Sequence, residues 1–151
     1  MKRSAGVLIY RRFPVGLEVL LVRPGGPFWR NKERGVWQIP KGEYLDDEEP
    51  AACALREVEE ELGVRLTAPL RPLGAIRQAG GKHVTAFAAE QDLDADAIVS
   101  NTFELEWPPR SGRKQSFPEV ESARWLTIEQ ARPAILPSQE PLLDRLVALL
   151  R

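Results

Sequence analysis

Four glutamates stand close together within residues 56–61. On a helix, Glu57, Glu60 and Glu61 are related by three and four residues, so their carboxylates lie along one edge. Like charges at this spacing repel each other, and a bound cation offsets the repulsion. Carboxylate oxygens are hard ligands that suit Mg²⁺ or Mn²⁺. The pattern therefore predicts either a divalent-metal site or an acidic, solvent-exposed helix face.

These glutamates lie in a segment, residues 49–62, that has the start and stop signals of a helix. Pro50 suits the first helical position, where its missing N–H costs little. Gly63 suits the position just past the end, where the backbone often takes a positive φ. Apolar residues spaced three and four apart predict one buried stripe, formed by Leu55, Val58 and Leu62. That stripe would anchor the acidic edge against the rest of the protein.

The residues before the helix extend the pattern. Gly42 is followed after five residues by Glu48, and after seven more by residues 56–64. This spacing resembles the signature of the Nudix hydrolases, Gly-x5-Glu-x7-Arg-Glu-U-x-Glu-Glu-x-Gly-U, in which U is a bulky aliphatic residue. All nine defined positions match, and ordinary residue frequencies give such a match on the order of once in 10⁹ starting positions. The chain is identified by this resemblance as a MutT-like Nudix hydrolase.

The resemblance implies a pyrophosphohydrolase that depends on Mg²⁺, with Mn²⁺ able to substitute. The implied metal ligands are the Gly42 carbonyl and the side chains of Glu57, Glu60 and Glu61. The implied catalytic residues are Arg56, Glu57, Glu60 and Glu119. Arg56 would orient a carboxylate through a bidentate pair, whereas the residue at the Glu57 position is the general base in some family members. Glu48 would pair with a basic group and brace the turn into the helix.

A glutamate outside the signature commonly serves this family as an additional ligand or base. Glu119 is the first candidate, because residues 119–126 resemble the segment before the last strand in diadenosine polyphosphate hydrolases. Glu104 and Glu106 are the next candidates. Each of the three could equally be an exposed loop glutamate with no part in the reaction.

Four residues are predicted to bind the substrate: Trp29, Lys41, Lys82 and Arg110. Lys41 belongs to a Pro-Lys-Gly sequence that is common in Nudix enzymes acting on dinucleoside polyphosphates and diphosphoinositol polyphosphates. Its point charge suits a polyphosphate chain. Arg110 lies in a polar loop, where it could hold a distal phosphate or be a solvated charge.

Two further features bear on the substrate. Trp29 and Trp107 lie in polar loops, where an indole could stack on a base. The strand that begins at Lys82 resembles the Lys-x-Val-x-Tyr-Trp strand of diadenosine tetraphosphate hydrolases. Ala86 and Phe87 stand where that strand has Tyr and Trp. This difference weakens the argument that the strand has the same role here.

The sequence leaves three functions open. The first is hydrolysis of a diphosphate bond in a nucleoside diphosphate linked to another group, including diadenosine polyphosphates. The second is a nucleoside triphosphate pyrophosphohydrolase that removes damaged nucleotides, since the Gly-Gly-Pro-Phe-Trp and Phe-Glu-Leu-Glu-Trp-Pro-Pro-Arg segments resemble a bacterial group with that predicted activity. The third is a non-catalytic ligand sensor. Such modules often lose metal glutamates that this chain keeps.

Strands and further helices must hold the site in place. Branched apolar runs predict strands at residues 7–10, 17–22, 36–39, 73–77, 83–89 and 123–126. Residues 92–98 are expected to form a short helix and residues 101–117 an ordered loop, and Thr127 and Ser138 are expected to cap two C-terminal helices. This mixture predicts one α/β layered domain over residues 1–151. The resemblance specifies it as the Nudix fold, a mixed β-sheet sandwiched between helices (α/β/α).

The composition of the chain limits the kinds of partner that it is expected to bind. The chain has 151 residues, with 21 basic and 22 acidic side chains and a formal net charge of −1. This balance gives no overall attraction to nucleic acid or anionic membranes. Cys53 is the only cysteine, which excludes an internal disulfide and a cysteine-rich zinc site. We expect a cytoplasmic enzyme for a small nucleotide or dinucleoside polyphosphate, without stable nucleic acid or membrane binding.

Overall fold

The computed structural model describes residues 2–78 and 80–151. Its strands are β1 (Arg3–Arg11), β2 (Glu18–Pro24), β3 (Lys41–Glu43), β4 (Arg71–Gln78), β5 (Lys82–Glu90), β6 (Thr102–Glu106), β7 (Lys114–Pro118) and β8 (Val120–Thr127). Its α-helices are α1 (Pro50–Leu62), α2 (Ile128–Ala134) and α3 (Glu140–Leu149). Short 3₁₀ turns lie at Pro27–Trp29, Ala95–Ala97 and Pro137–Gln139. None of the helices among these residues is long and apolar enough to span a lipid bilayer.

A mixed sheet is built around β1. Its strand order is β4, β5, β1, β2 and β8, and β1 runs parallel to β5 but antiparallel to β2. The short strand β3 pairs antiparallel with the beginning of β1, where Gly42 lies opposite Ala5. The first residues of the signature are therefore fixed to the central strand of the sheet.

Two apolar cores lie on opposite faces of this sheet, because side chains alternate along each strand. Leu8 and Tyr10 belong to the core that contains the buried leucines of α3. Val7 and Ile9 belong to the core that contains Val58 of α1. Helices thus cover both faces, which confirms the predicted α/β/α layers.

Helix α1 begins at Pro50 and ends at Leu62, as its start and stop signals predict. Gly63 has a φ of 68° and donates its N–H to the Glu59 carbonyl. The buried residues of the helix are Cys53, Ala54, Glu57, Val58 and Leu62. The predicted place of Leu55 in the buried stripe is wrong, since this side chain is 38% exposed. The buried face is centred on the neighbours of Val58, and Leu55 lies at its edge.

The predicted loop at residues 101–117 is wrong, because β6 and β7 form an antiparallel hairpin there. Phe103 lies opposite Phe117 in the register. Half-buried and exposed residues alternate along β6, and this period of two is the mark of a strand. Phe103 also packs against Gly26, where an added Cβ would lie 3.1 Å from the ring. The hairpin is a separate small sheet that lies against the loop after β2.

Residues 36–39 do not form the predicted strand. Gln38 bridges β2, whereas its neighbour Trp37 bridges Ile135 after α2, so consecutive residues have partners on opposite sides. Gln139 adds a third contact: it is fully buried, and its Oε1 accepts the N–H of Ile39 at 3.0 Å. The segment that leads into β3 is therefore held between β2 and the linker that joins α2 to α3.

Two smaller predictions are also wrong. Residues 92–98 form only a 3₁₀ turn, because the Asp94 side chain accepts the N–H of Asp96 at 3.0 Å and such local bonds compete with a helix. Helix α3 has Gln139 rather than Ser138 at its N-cap position. Thr127 caps α2 as expected, in a reciprocal capping box with Gln130.

Candidate active site

The signature begins with a close approach between β3 and α1. A Cβ built on Gly42 would overlap the carboxylate of Glu57. β3 is paired with β1, and α1 packs on the same strand through Val58. Any side chain at position 42 would therefore displace the Glu57 carboxylate, which explains why this position is occupied by glycine.

Arg56 binds the surrounding carboxylates through all of its guanidinium nitrogens. Nε and Nη2 donate to the two carboxylate oxygens of Glu48, both at 2.9 Å. Nη1 donates to Glu57 and Glu60, each at 3.1 Å, and Nη2 also donates to the Glu43 carbonyl at 3.0 Å. The bonds from Arg56 to Glu48, followed by the N–H that Leu45 donates to the same carboxylate, lower the pKa of Glu48 to about 2. The sequence predicts a bidentate pair for Arg56 and a basic partner for Glu48. In the structure, one contact between Arg56 and Glu48 meets both predictions.

Three other carboxyl groups lie where negative charge is disfavoured. Burial, followed by the charge of Glu57, raises the pKa of Glu61 to about 8. Burial, followed by the charge of Glu60, also raises the pKa values of Glu57 and Glu119. A hard divalent cation among these oxygens would offset both effects, so the donor set fits Mg²⁺ or Mn²⁺.

The carboxylates are not arranged around a single metal position. Among residues 2–78 and 80–151, no three His, Cys, Asp or Glu side chains are placed to hold one ion together. Glu57 and Glu60 share Nη1 of Arg56 instead, and the Gly42 carbonyl accepts a weak bond from the Cys53 thiol at 3.4 Å. Binding of a metal ion by these groups therefore requires their side chains to rearrange.

One cavity of about 200 Å³ brings together four of the residues named from the sequence, which are Trp29, Lys41, Glu61 and Glu119. Burial lowers the pKa of Lys41, and the negative charge of Glu61 opposes that effect. A half-buried ammonium group, an indole and two carboxyl groups therefore face the same space. This cavity can accept an anion at its lysine and a cation at its carboxylates.

Glu119 is held in the bend between β7 and β8. Its N–H donates to the Asn101 carbonyl at 2.8 Å, and its carbonyl accepts the Gly25 N–H at 3.0 Å. The two backbone bonds join the base of the β6–β7 hairpin to the loop after β2. Glu104 and Glu106, the other candidates for the additional glutamate, are exposed on β6.

Two predicted substrate residues lie outside the lining of this cavity. Lys82 is exposed at the start of β5, yet its charge is close enough to lower the pKa of Lys41. Arg110 lies in the turn of the β6–β7 hairpin, and its N–H donates to the Glu106 side chain at 2.8 Å. Trp107 packs edge-on against Phe28, with ring centres 5.3 Å apart. The structure brings Lys82 near the site and leaves Arg110 apart from it.

Sequence reasoning missed a second cavity of about 240 Å³ beside the first. It is lined by Arg23, Pro24, Gly26, Trp29, Arg30, Asn31 and Glu121. Trp29 was the only one of these residues singled out from the sequence. No local signal in the sequence identifies Glu121, because it reaches this cavity only through the pairing of β8 with β2.

The family is decided by comparison with known proteins. A family model described as the NUDIX domain matches residues 1–146. The chain belongs to the Nudix family. Over 112 residues this Nudix chain is 31% identical to the nucleoside triphosphate pyrophosphatase/Nudix hydrolase fusion protein of Bifidobacterium longum. That match covers 70% of the chain but 23% of the relative, so the chain spans less than a quarter of the relative's length.

Solved structures of the Nudix fold resemble the chain along its whole length. The binary complex of C. elegans Ap4A hydrolase gives a TM-score of 0.73 at 21% identity, with 97% of each chain covered. The NUDIX domain of Shewanella oneidensis NrtR, complexed with ADP ribose, gives 0.69 at 18% identity and covers 99% of this chain and 88% of its own. Identities this low show the fold alone. Nudix hydrolases generally use divalent metal ions.

Proposed function

We propose that this Nudix chain hydrolyses a diphosphate bond in a nucleoside diphosphate linked to another group. The observation that carries the proposal is the meeting of Lys41, Glu61 and Glu119 in one cavity beside Trp29. Diphosphate hydrolysis needs neutralised phosphate oxygens and a water molecule placed in line with the bond. A lysine that contacts phosphate and carboxylates that hold a cation meet these needs within one cavity.

The proposed metal ligands are Gly42, through its carbonyl, and the carboxylates of Glu57, Glu60 and Glu61. Mg²⁺ is the proposed ion and Mn²⁺ its substitute, because all of these ligands are oxygens. When bound, the ion neutralises phosphate oxygens and lowers the pKa of a bound water molecule. Arg56 keeps Glu57 and Glu60 close together through Nη1 and thereby orients them.

The other residues have roles toward the substrate and the proton. Lys41 contacts phosphate oxygens, and Lys82 adds positive charge nearby. Trp29 stacks on a base. Glu57 or Glu119 accepts the proton of the attacking water, since the pKa of each is raised by burial and a base works best when its pKa approaches the working pH.

The solved relatives support a substrate of the nucleotide kind. One is an Ap4A hydrolase, and another binds ADP ribose, and both ligands contain adenosine joined to another group through phosphates. A second candidate is pyrophosphate release from nucleoside triphosphates, including damaged ones, because the name of the Bifidobacterium relative joins a nucleoside triphosphate pyrophosphatase to a Nudix hydrolase. Diadenosine polyphosphates are our first candidate.

A substrate panel tests this proposal. Diadenosine polyphosphates, ADP-ribose, and normal and oxidised nucleoside triphosphates are incubated with the protein and Mg²⁺ or Mn²⁺, and the products are separated by chromatography. We expect metal-dependent cleavage between two phosphates in at least one dinucleotide. Cleavage of oxidised triphosphates alone would favour the second candidate. Binding without cleavage of any compound would show a ligand sensor and overturn the enzymatic proposal.

A further inference from the structure

The second cavity lies next to the first. Pro24 and Trp29 line both of them, so Trp29 stands at the boundary between the two cavities. Small-ligand sites usually have volumes of about 300–1,000 Å³. The separate volumes of about 200 Å³ and 240 Å³ fall short of that range, whereas their combined volume lies within it. A ligand of ordinary size would therefore extend from one cavity into the other.

The second cavity carries an excess of guanidinium groups. Glu33 contacts Arg23 at 3.2 Å, and it also lies 3.8 Å from Arg124 and accepts the indole N–H of Trp37 at 3.3 Å. One carboxylate is thus shared by two arginines and an indole. Its charge neutralises the arginines only in part, so Arg23 retains the capacity to bind an anion.

Arg30 is a second source of positive charge in this cavity. Its side chain is exposed, and its guanidinium lies 6.0 Å from the ring of Phe117. Within residues 2–78 and 80–151 it has no carboxylate at salt-bridge distance. A guanidinium without such a partner suits the planar, two-oxygen edge of a phosphate.

We propose that the second cavity binds a phosphate group beyond the diphosphate that is cleaved. This inference rests on the proposed function, and it narrows the substrate to compounds with three or more consecutive phosphates. The scissile diphosphate lies at Lys41, Glu61 and Glu119, and the phosphate chain passes Trp29 to reach Arg23 and Arg30. Diphosphate-linked sugars lack the additional phosphate and gain nothing from the second cavity.

Glu121 separates this proposal from the alternative that the second cavity holds a nucleobase. The carboxylate of Glu121 lines the same cavity as the two arginines, and it repels a phosphate. A base that carries an amino group would instead be stabilised by a carboxylate acceptor. Glu121→Gln therefore strengthens binding if a phosphate occupies the cavity and weakens binding if a base does.

Calorimetric titration with inorganic pyrophosphate and inorganic tripolyphosphate, both with Mg²⁺, tests the proposal without any turnover. We expect the wild-type protein to bind tripolyphosphate about tenfold more tightly than pyrophosphate, the gain ordinarily given by a charge-assisted pair. Arg30→Ala should remove most of that preference, and Glu121→Gln should increase it. Arg34→Ala is the matched control, because Arg34 is an exposed cation of the same loop that does not line the cavity.

The outcomes separate this inference from the proposed function. Equal affinity for the two phosphates, or equal effects of Arg30→Ala and Arg34→Ala, overturns the second phosphate site even if dinucleotides are hydrolysed. A preference that depends on Arg30, together with no cleavage of any compound, upholds the site and overturns the enzymatic proposal. Weaker binding of nucleotides by Glu121→Gln, with unchanged tripolyphosphate binding, assigns the cavity to a base instead.

Discussion

Arg56 and Glu48 form a bidentate pair, with Nε and Nη2 each 2.9 Å from a carboxylate oxygen. The third nitrogen of the same guanidinium contacts Glu57 and Glu60. One side chain therefore joins the loop before α1 to two of the carboxylates that we propose as metal ligands. The pair stabilises the turn before α1 and, under the proposed function, also positions two metal ligands, and experiment can separate the two effects.

The Glu48→Gln variant should lose stability in a pH-dependent way. The pKa of Glu48 is about 2 in the folded protein and about 4.3 in an unfolded chain. A lowered pKa contributes stability that is fully present above the unfolded value and is lost as the pH falls through the folded value. The gap in melting temperature between wild type and variant should be widest above pH 5 and should narrow toward pH 2.

Thermal unfolding followed by circular dichroism across that pH range checks this expectation. Glu49→Gln is a suitable control, because it removes the charge of the exposed neighbouring residue. A gap that stays constant from pH 7 to pH 2.5 would show that the charge of Glu48 is not what stabilises the turn.

Gly42→Ala should disturb the site far more than the fold. The added Cβ overlaps the Glu57 carboxylate, so that side chain must move away from β3 and from its bond with Arg56. We expect weaker Mn²⁺ binding and a fall in kcat of about tenfold or more, the usual effect of a ligand shifted from its working position. Manganese binding followed by electron paramagnetic resonance provides the measurement, and an unchanged affinity would contradict the assigned position of Glu57.

Two adjacent glutamates of α1 offer a matched comparison. Glu60 contacts Arg56 and is a proposed metal ligand, whereas Glu59 is exposed and occupies an undefined position of the signature. Both Glu60→Gln and Glu59→Gln remove one negative charge from the same helix turn. Only Glu60→Gln should abolish metal-dependent turnover, and both should keep the circular dichroism spectrum of the wild type. Equal activities would refute the proposed role of Glu60.

Gly63→Ala should destabilise the protein at the end of α1. Gly63 has a φ of 68°, and a non-glycine residue in this left-handed region costs about 1–2 kcal/mol. Its added Cβ would also lie 2.8 Å from the Val99 carbonyl. Gly112→Ala provides a control, since Gly112 has a φ of 73° with no atom within 4 Å of an added Cβ. Chemical denaturation should show the larger loss of unfolding free energy for Gly63→Ala, and equal losses would mean that the Val99 contact relaxes freely.

The sequence predicted the helix of the site well, because its signals are local. Pro50 and Gly63 define the two ends of α1 through their own backbone preferences. Such preferences act within a few residues and need no knowledge of the remaining fold. The prediction for Leu55 is wrong because the spacing of apolar residues identifies a stripe on the helix but does not show which way that stripe faces.

The parts that the sequence did not predict depend on contacts between distant segments. The β6–β7 hairpin was hidden by its polar composition, and only the alternation of Phe103 and Leu105 indicated it. The second cavity forms where β2, the loop after it and β8 meet, so Arg23 and Glu121 come together through tertiary structure. The spacing of residues within one segment does not predict such a contact between segments.

The bond between Ile39 and Gln139 joins residues separated by 100 positions in the sequence. Contacts between residues so far apart in the sequence form late in folding, because a long loop must close before the contact can stabilise the chain. A chain emerging from the ribosome lacks this bond until residue 139 has been synthesised and released from the exit tunnel. The wall of the cavity that contains Ile39 and Lys41 is therefore completed only after residue 139 has been synthesised, and the nascent chain carries the carboxylates of α1 before it has a finished place for a substrate.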